Sequence, residues 1–286
     1  MEINKLTENT IPQRLTLISS PPKTLYSSMP AEQLAKLLKR KTVSIVGSRK
    51  VSTYGRRVTT ELAGKLAEQG VVIISGLALG VDAIAHQAAL DANGITIAVL
   101  PGPLHQIYPS SHRALAEQIV KHGGALLSEY SDPIFAFKAN FIARNRLISG
   151  LGDALLITEA AENSGTLHTA RFALEQGKDV LAVPGEIFSE TSKGTNNLIR
   201  AGATPVTSVE DVLHVLGLQS HEPTRVVKGR NTAEQAVLEL LLQGTNDGEA
   251  LQRASQLEIA EFNQTLTMLE ISGKIRSLGA NQWALV

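Results

Sequence analysis

The chain has 286 residues and contains no cysteine. Disulfide bridges, iron–sulfur clusters, cysteine-ligated zinc and thiol nucleophiles are therefore excluded. The sequence also lacks an uninterrupted apolar run of about 18 residues, the length that a membrane-spanning helix needs. Its N-terminus contains no apolar segment of the kind found in signal peptides. We therefore expect no membrane span and a cytoplasmic location.

Several motifs that mark enzymes are missing as well. There is no G-x-x-x-x-G-K-[ST] segment of the kind that binds ATP phosphates, and no G-x-S-x-G segment of serine hydrolases. His86 has no second His at metal-ligand spacing, and its alanine-rich surroundings are typical of a packed histidine. We expect no catalytic residues, no metal and no cofactor.

Net charge is absent too, since 27 Lys and Arg balance 27 Asp and Glu. A protein held on nucleic acid by bulk charge alone is therefore excluded. The charges are unevenly placed, however: residues 1–40 sum to +3, residues 41–150 to +4, residues 151–216 to −5 and residues 217–286 to −2. The first half of the chain can thus carry a local basic site, although segment charges of this size are also found on ordinary solvated surfaces.

From Thr42 onward the sequence alternates short apolar runs with longer amphipathic segments. The apolar runs lack polar alternation, which is typical of strands buried on both faces of a parallel sheet. Together they predict an α/β protein with an extended, Rossmann-like, doubly wound parallel sheet. The predicted strands are Val43–Val46, Val71–Ser75, Ile95–Leu100, Ala125–Ser128, Ala154–Thr158 and Val180–Pro184. The predicted helices include Thr53–Glu68, Asp82–Ala92, Ser110–His122, Thr166–Gln176 and Val209–Leu216.

A polar stretch near residue 220 suggests a domain boundary. It contains Pro223 and Gly229, and three predicted helices and a hairpin follow it, which is the order of a winged helix. We expect an N-terminal lead-in at 1–40, a Rossmann-like domain at 41–217, a linker at 218–231 and a winged-helix domain at 232–286. The acidic balance of the last domain favours a protein partner, or none, over DNA.

Glycine-containing loops follow several predicted strands. In the loop Gly47-Ser48-Arg49, backbone N–H groups can approach an anion, and Arg49 can bind a phosphate with two parallel hydrogen bonds. Only Gly47 fits the dinucleotide fingerprint, so a dinucleotide is not favoured. Simpler interpretations are a tight turn at Arg49 and helix caps at Asp82 and Ser164. Further candidates for phosphate binding are Ser164, Gly165, Thr166, Gly194 and Asn196.

The most informative segment runs from Phe135 to Arg146. It holds three of the six phenylalanines, together with three cations and two asparagines. Aromatic rings interleaved with positive charge are typical of sites that stack unpaired bases. Alternatively, Phe135 and Phe137 belong to the core and the arginines pair with carboxylates. Together with the first loop, the candidate residues for binding such a nucleic-acid strand are Gly47, Ser48, Arg49, Lys138, Phe141, Arg144, Asn145 and Arg146.

A series of motifs in the chain resembles the DNA-processing protein A family, also called DprA or Smf. The motifs are IVGSR at 45–49, SGLALGVD at 75–82, YP at 108–109, FIARNRLISG at 141–150, SGTLHTA at 164–170, AVPG at 182–185 and GTNNLIRAGA at 194–203. The resemblance extends from about residue 11 to residue 216. The tail resembles, less closely, the winged-helix domain of many members.

The resemblance implies a homodimer that binds single-stranded DNA. It also implies a role in DNA uptake and transformation, in which the protein protects the incoming strand and loads a RecA-type recombinase on it, without turning over a substrate. By position, the family's DNA pocket would use Arg49, Lys138 and Phe141, and Arg144 and Arg146 lie in the same motif. The chain departs from the family at Ile142, where proline is usual, and its first forty residues are too few for the helical domain that many members carry there.

An enzyme of the nucleoside-monophosphate phosphoribohydrolase ("lonely guy") type is the alternative, because its fold is similar. Those enzymes carry a G-G-x-G-T-x-x-E motif. Gly165-Thr166 matches the G-T of that motif, but Thr169 stands in place of the glutamate. Without that carboxylate, stabilisation of an oxocarbenium-like transition state is hard to explain.

Overall fold

A computed structural model describes residues 2–131, 138–219 and 229–285 of the chain. The fold divides into two compact units, Met1–Ser220 and His221–Val286, here called the sheet unit and the C-terminal unit. Residues 220–228, which form most of the predicted linker, lie outside the described residues. Within the described residues, no helix is both long and apolar enough to cross a membrane.

The sheet unit is built on one twisted sheet. Its strands are β1 (Asn4–Leu6), β2 (Leu25–Ser27), β3 (Thr42–Val46), β4 (Val72–Ser75), β5 (Thr96–Leu100), β6 (Ala125–Ser128), β7 (Ala154–Ile157), β8 (Asp179–Ala182) and β9 (Thr204–Pro205). They lie in the order β1-β2-β6-β5-β4-β3-β7-β8-β9. Strands β3 to β9 are parallel, whereas β1 and β2 are antiparallel to their neighbours.

Helices cover both faces of this sheet. They are α1 (Gln13–Thr16), α2 (Ala31–Leu37), α3 (Thr53–Glu68), α4 (Val81–Asp91), α5 (Arg113–Lys121), α6 (Lys138–Leu151), α7 (Thr166–Glu175), α8 (Lys193–Arg200) and α9 (Val209–Val215). A 3₁₀ turn, Ser110–His112, precedes α5. The start of α3 is fixed by Ser52, whose hydroxyl accepts a hydrogen bond of 3.0 Å from the Gly55 N–H.

Apolar side chains on both faces of the strands explain this layering. Every residue of β3, β4, β5 and β7 is buried. On one face the core includes Leu147, Leu151 and Leu155, and on the other it includes Leu66 and Ile73. Strands that are apolar on both sides need a helical layer on each side, so the predicted doubly wound α/β fold is confirmed.

The first forty residues are part of the sheet unit. Strand β2 pairs with β6, which extends the sheet at one edge. Leu15, Leu25 and Leu34 are fully buried in the core. Arg14 adds polar contacts, donating hydrogen bonds to the Leu151 carbonyl at 2.8 Å and the Leu38 carbonyl at 2.9 Å. This segment therefore completes one side of the core.

The C-terminal unit has three helices and a hairpin. Its elements are α10 (Thr232–Leu242), α11 (Gly248–Ser255), α12 (Ile259–Ile271), β10 (Ile275–Gly279) and β11 (Gln282–Leu285). Val237, Leu251, Phe262 and Leu269 form its small core, and Trp283 packs against that core. The two strands are joined at Ala280 and Asn281, which both have positive φ, as tight hairpin turns require.

Candidate nucleic-acid interface

An open cleft of about 800 Å³ lies at the carboxyl edge of the parallel sheet. Its walls are the loop after β3, Tyr108 from the segment after β5, the first two turns of α6 and the start of α7. Parallel strands end at the same edge of a sheet, which is why segments so distant in sequence meet here. Binding sites of doubly wound folds are built at this edge.

The loop after β3 is held tightly against its neighbours. A Cβ on Gly47 would lie 2.6 Å from Val81 Cγ2 and 2.8 Å from the Glu159 carbonyl oxygen, so only glycine fits. The Ser48 N–H donates to the Glu159 carbonyl at 2.8 Å. The Ser48 hydroxyl donates to the Lys50 carbonyl at 2.9 Å and accepts from the Lys50 N–H at 3.2 Å. This fixed loop presents Arg49 to the cleft.

Arg49 lies over the ring of Phe141. The guanidinium carbon is 4.9 Å from the ring centroid, a cation–π contact between the β3 loop and α6. The ring of Tyr108 stands edge-on to Phe141, with centroids 5.5 Å apart and planes at 71°. The structure thus brings two of the predicted DNA-binding residues, Arg49 and Phe141, into direct contact.

Arg144 forms part of the cleft floor and is 3% exposed. Its Nη1 donates to the Gly76 carbonyl at 2.6 Å and to the Val99 carbonyl, and its Nε donates to Asn145 Oδ1 at 3.2 Å. Burial, with a smaller effect from the Arg49 charge, lowers the pKa of Arg144 to about 10, and Asp82 opposes the shift. Both Arg144 and Asn145 line the cleft, and Arg144 ties α6 to β5 and to the loop after β4.

Arg146 has a carboxylate partner. Its two terminal nitrogens each donate to one oxygen of Glu129 at 2.7 Å, which is a bidentate ion pair. It also donates to the Ala143 carbonyl at 3.1 Å. Arg146 is not among the residues that line the cleft. Its environment corresponds to the alternative interpretation, in which an arginine of this segment pairs with a carboxylate.

Other residues of that segment are only partly described. Lys138 begins α6, but its side chain lies outside the description, as do the residues Phe135 and Phe137. Their roles remain predictions.

The start of α7 forms the opposite wall. Ser164 Oγ accepts a hydrogen bond of 3.2 Å from the Thr166 N–H and donates to Thr166 Oγ1 at 2.9 Å. Gly165 occupies the N-cap position, and nothing lies within 4 Å of where its Cβ would be. Ser164, Gly165 and Thr166 all line the cleft, so this helix start can face an anion.

Gly194 and Asn196 lie away from the cleft wall. The Gly194 N–H donates to the Ala160 carbonyl at 2.8 Å. The Asn196 amide bonds to both backbone groups of Gly185, at 3.1 Å each. These residues fasten the loop after β8, and from that loop it is Thr191 that lines the cleft.

Helix α4 carries two buried polar residues, Asp82 and His86. Asp82 lies in the first turn of α4 without capping it; Gly80 is the N-cap, and Asp82 accepts from the Gly76 N–H at 3.1 Å. Burial raises the pKa of Asp82, and Arg144 opposes that shift. His86 is a packed histidine, as expected: it is fully buried, and its Nδ1 is 2.6 Å from Thr96 Oγ1. Burial lowers the pKa of His86 to about 3.

Sequence reasoning did not select several residues that line the cleft. Among them are Tyr108, Asn163 and His168. Tyr108 and His168 fall within family motifs, and Tyr108 also follows a predicted strand, which was the available signal. No cluster of three or more His, Asp or Glu side chains that could hold a metal occurs among the described residues.

Two family models match the chain. The model described as DNA recombination-mediator protein A matches residues 2–217, and the DprA winged helix domain matches residues 221–281. The second match, together with the order of α10 to β11, confirms the predicted winged helix.

Curated relatives match most of the chain. Protein Smf of Escherichia coli is 46% identical over 179 residues, which are 63% of this chain and 48% of that protein. A putative DNA processing protein DprA of Mycobacterium tuberculosis is 36% identical over 240 residues, which are 82% of this chain and 61% of that protein. The chain therefore spans about half to three fifths of the length of these relatives.

Two solved structures have the same architecture. DNA processing protein A of Helicobacter pylori, studied for its single-stranded DNA binding mode, superposes with a TM-score of 0.67 at 34% identity and covers 76% of this chain and 96% of that one. DprA of Streptococcus pneumoniae gives a TM-score of 0.68 at 36% identity and covers 77% of this chain and 76% of that one. By its family match, its relatives and its fold, the chain belongs to the DNA recombination-mediator protein A (DprA/Smf) family.

Proposed function

We propose that this protein binds single-stranded DNA along the carboxyl edge of its sheet and acts as a recombination mediator. The observation that carries the proposal is the contact between Arg49 and Phe141 in an open cleft. A cation beside a partly exposed aromatic ring supplies the two interactions that single-strand binding uses, phosphate neutralisation and base stacking.

In this proposal the residues divide into contacts and supports. Phosphates are bound by Arg49, by the start of α7 at Ser164–Thr166 and by Lys138, and a base stacks near Phe141. Arg144 and Arg146 position α6 through their bonds to backbone carbonyls and a carboxylate, and Asn145 accepts a hydrogen bond from Arg144. Gly194 and Asn196 hold the β8 loop in place.

The wider role follows from the family. We propose that the protein is cytoplasmic, acts as a homodimer, protects incoming single strands during DNA uptake and loads a RecA-type recombinase on them, without turning over a substrate. The recorded single-strand binding of the Helicobacter pylori relative supports the DNA part of this role. Recombinase loading is tested by measuring strand assimilation by such a recombinase on single strands, with and without this protein.

The DNA part is tested by fluorescence anisotropy with labelled single-stranded and duplex oligonucleotides across a salt series. We expect tighter binding to the single strand, no sequence preference and a steep loss of affinity with salt. Arg49→Glu should weaken single-strand binding strongly. Arg171→Glu is the matched control, because Arg171 is highly exposed on α7 and does not line the cleft. Equal affinity for the two DNA forms, or an unaffected Arg49→Glu variant, contradicts the proposal.

The phosphoribohydrolase alternative has little support at the cleft. Thr169, at the position of that family's glutamate, is buried, and Asp82 is the one carboxylate among the described residues that line the cleft. Asp82 is already bound to the backbone of its neighbouring loop. Chromatographic detection of base released from a nucleoside monophosphate would instead favour the enzyme.

A further inference from the structure

Tyr108 has an environment unlike that of a core aromatic. It is 53% exposed, and its hydroxyl makes no hydrogen bond with any described residue. Tyr54 is similarly exposed, at 49%, but its hydroxyl donates to the Pro184 carbonyl at 2.8 Å and it does not line the cleft. The two tyrosines are therefore a natural pair for comparison: one is engaged with the fold, and the other faces the cleft.

The rings of Tyr108 and Phe141 form a corner. Their planes meet at 71° with centroids 5.5 Å apart. A planar base that lies flat on one of these rings turns its edge toward the other, and aromatic groups attract each other in both arrangements. The corner therefore offers one base two contacts, whereas a single exposed ring would offer one.

We propose that Tyr108 is a second DNA-contacting residue, which together with Phe141 holds one unstacked base in this corner. The inference rests on the proposed function and adds a specific residue and a source of selectivity to it. Within a duplex both faces of a base are covered by its stacked neighbours, so a base pair cannot enter the corner without being opened. Tyr108 should therefore contribute to the preference for single strands over duplex.

Arg49 fits the same arrangement. Its guanidinium lies on the Phe141 ring, so it is placed beside the nucleotide whose base occupies the corner. That nucleotide would have its base against the two rings and its phosphate near Arg49 and the fixed loop that carries it. Base and phosphate of one nucleotide would thus be bound by neighbouring side chains from three segments of the chain.

Photocrosslinking tests the contact in the unaltered protein. A single-stranded oligonucleotide carrying 5-iododeoxyuridine is irradiated in complex with the full chain, and the crosslinked peptide is identified by mass spectrometry. We expect the crosslink at Tyr108 or Phe141, with Tyr108 represented. Crosslinks confined to peptides that lack Tyr108 overturn the inference, and this outcome does not depend on the folding of any variant.

Affinity measurements complete the test. Tyr108→Phe keeps the ring and should bind single strands within about twofold of the natural protein, whereas Tyr108→Leu should bind them about five- to a hundredfold more weakly, as expected for loss of one stacked base. Duplex affinity should be unchanged in both. Tyr54→Leu, the control, should leave single-strand affinity intact.

The outcomes separate this inference from the function it rests on. If Tyr108→Leu binds single strands as tightly as the natural protein does, whereas Phe141→Leu binds them weakly, the Tyr108 contact is rejected and the cleft remains the DNA site. If Tyr108→Leu, Phe141→Leu and Arg49→Glu all bind single strands as tightly as the natural protein does, both the Tyr108 contact and the cleft as the DNA site are rejected. Loss of affinity in Tyr108→Phe as well as Tyr108→Leu rejects the stacking role, since the ring is retained in the former.

Discussion

The cleft of the sheet unit and the exposed face of α12 in the C-terminal unit differ in the residues they present to a partner. In the cleft, Arg49 lies beside two aromatic rings. Helix α12 contains no Lys or Arg, and its exposed face carries Ile259 and Ile271, which are 66% and 75% exposed. Three glutamates, Glu258, Glu261 and Glu270, lie at or beside this helix.

The two surfaces thus differ in whether they carry a cation that a partner can reach. DNA binding requires cations that can reach phosphates, and a helix without cations cannot supply them. Fold type is not sufficient, because winged helices are a common DNA-binding fold and this one lacks positive charge on its third helix. The balanced net charge of the chain combines these two surfaces and describes neither.

The largest effect is expected on the stability of the sheet unit when Arg144, its buried cation, is replaced. Arg144→Met leaves the Gly76 and Val99 carbonyls without their donor, which should destabilise the sheet unit by about 1–3 kcal/mol for each carbonyl. The four tyrosines lie in the sheet unit and the single tryptophan in the C-terminal unit, so urea unfolding followed by the two signals reports each unit. The tryptophan transition should not shift.

Arg171→Met is the control for this measurement. Arg171 makes an exposed ion pair with Glu175 on α7, and such pairs contribute at most about 1 kcal/mol. If Arg144→Met is no more destabilising than Arg171→Met, Arg144 is not a structural part of the cleft floor.

Lowering the pH should destabilise the sheet unit through a histidine that the described part of the C-terminal unit lacks. The pKa of His86 is lowered to about 3 by burial, whereas an unfolded histidine titrates near 6.5. The unfolded sheet unit therefore binds an extra proton below about pH 6.5, and its stability should fall by about 2 kcal/mol between pH 7 and pH 5. The described part of the C-terminal unit has no histidine, so its transition lacks this contribution.

Two variants assign the acid effect. His86→Asn cannot bind that proton, so its tyrosine-monitored stability should depend less on pH across this range. His122→Gln should retain the full dependence, because His122 is exposed. Equal pH dependence in the two variants would show that another group is responsible.

A smaller effect is expected on the salt dependence of DNA binding. In the proposed site Arg49→Met would remove one phosphate contact, so the slope of log affinity against log salt for single strands should become shallower by about 0.7. Arg49→Lys should retain the slope. An unchanged slope in Arg49→Met would place the phosphate contacts elsewhere.

The smallest effect is predicted for α12. Gln264→Glu and Thr267→Glu add negative charge to its exposed face, yet affinities for single-stranded and duplex DNA should stay within about twofold of the natural values. Anisotropy titrations of the full chain measure both. A marked loss of duplex affinity would mean that α12 contacts DNA, and the distinction between the two surfaces would then fail.

The fold could be predicted because its signal is local. Strands such as Val72–Ser75 are continuous apolar runs, and the helix predicted at Thr53–Glu68 has these bounds in the structure. The sequence did not reveal that the first forty residues contribute two strands to the sheet, because β1 and β2 have only three residues each. Strands that short leave little pattern in a sequence.

The site could be predicted only in part, because burial and pairing depend on distant segments. Arg49 and Phe141 were recognisable from residue type, and they do meet. Arg144 shares a helix with Phe141, but it is buried and donates to the carbonyls of Gly76 and Val99, which are distant in sequence. Tyr108 is brought to Phe141 by the order of the strands, which residue types alone do not reveal.

The two outer strands limit how copies of this protein can associate. Strand β9 is a two-residue edge whose second residue is Pro205, which has no N–H to donate. At the opposite edge, β1 offers three residues, one of them the charged Lys5. Short, charged or proline-containing edges disfavour the addition of a strand from another molecule. Assembly of two copies is therefore expected to use helix and loop surfaces instead of a sheet that continues across the interface.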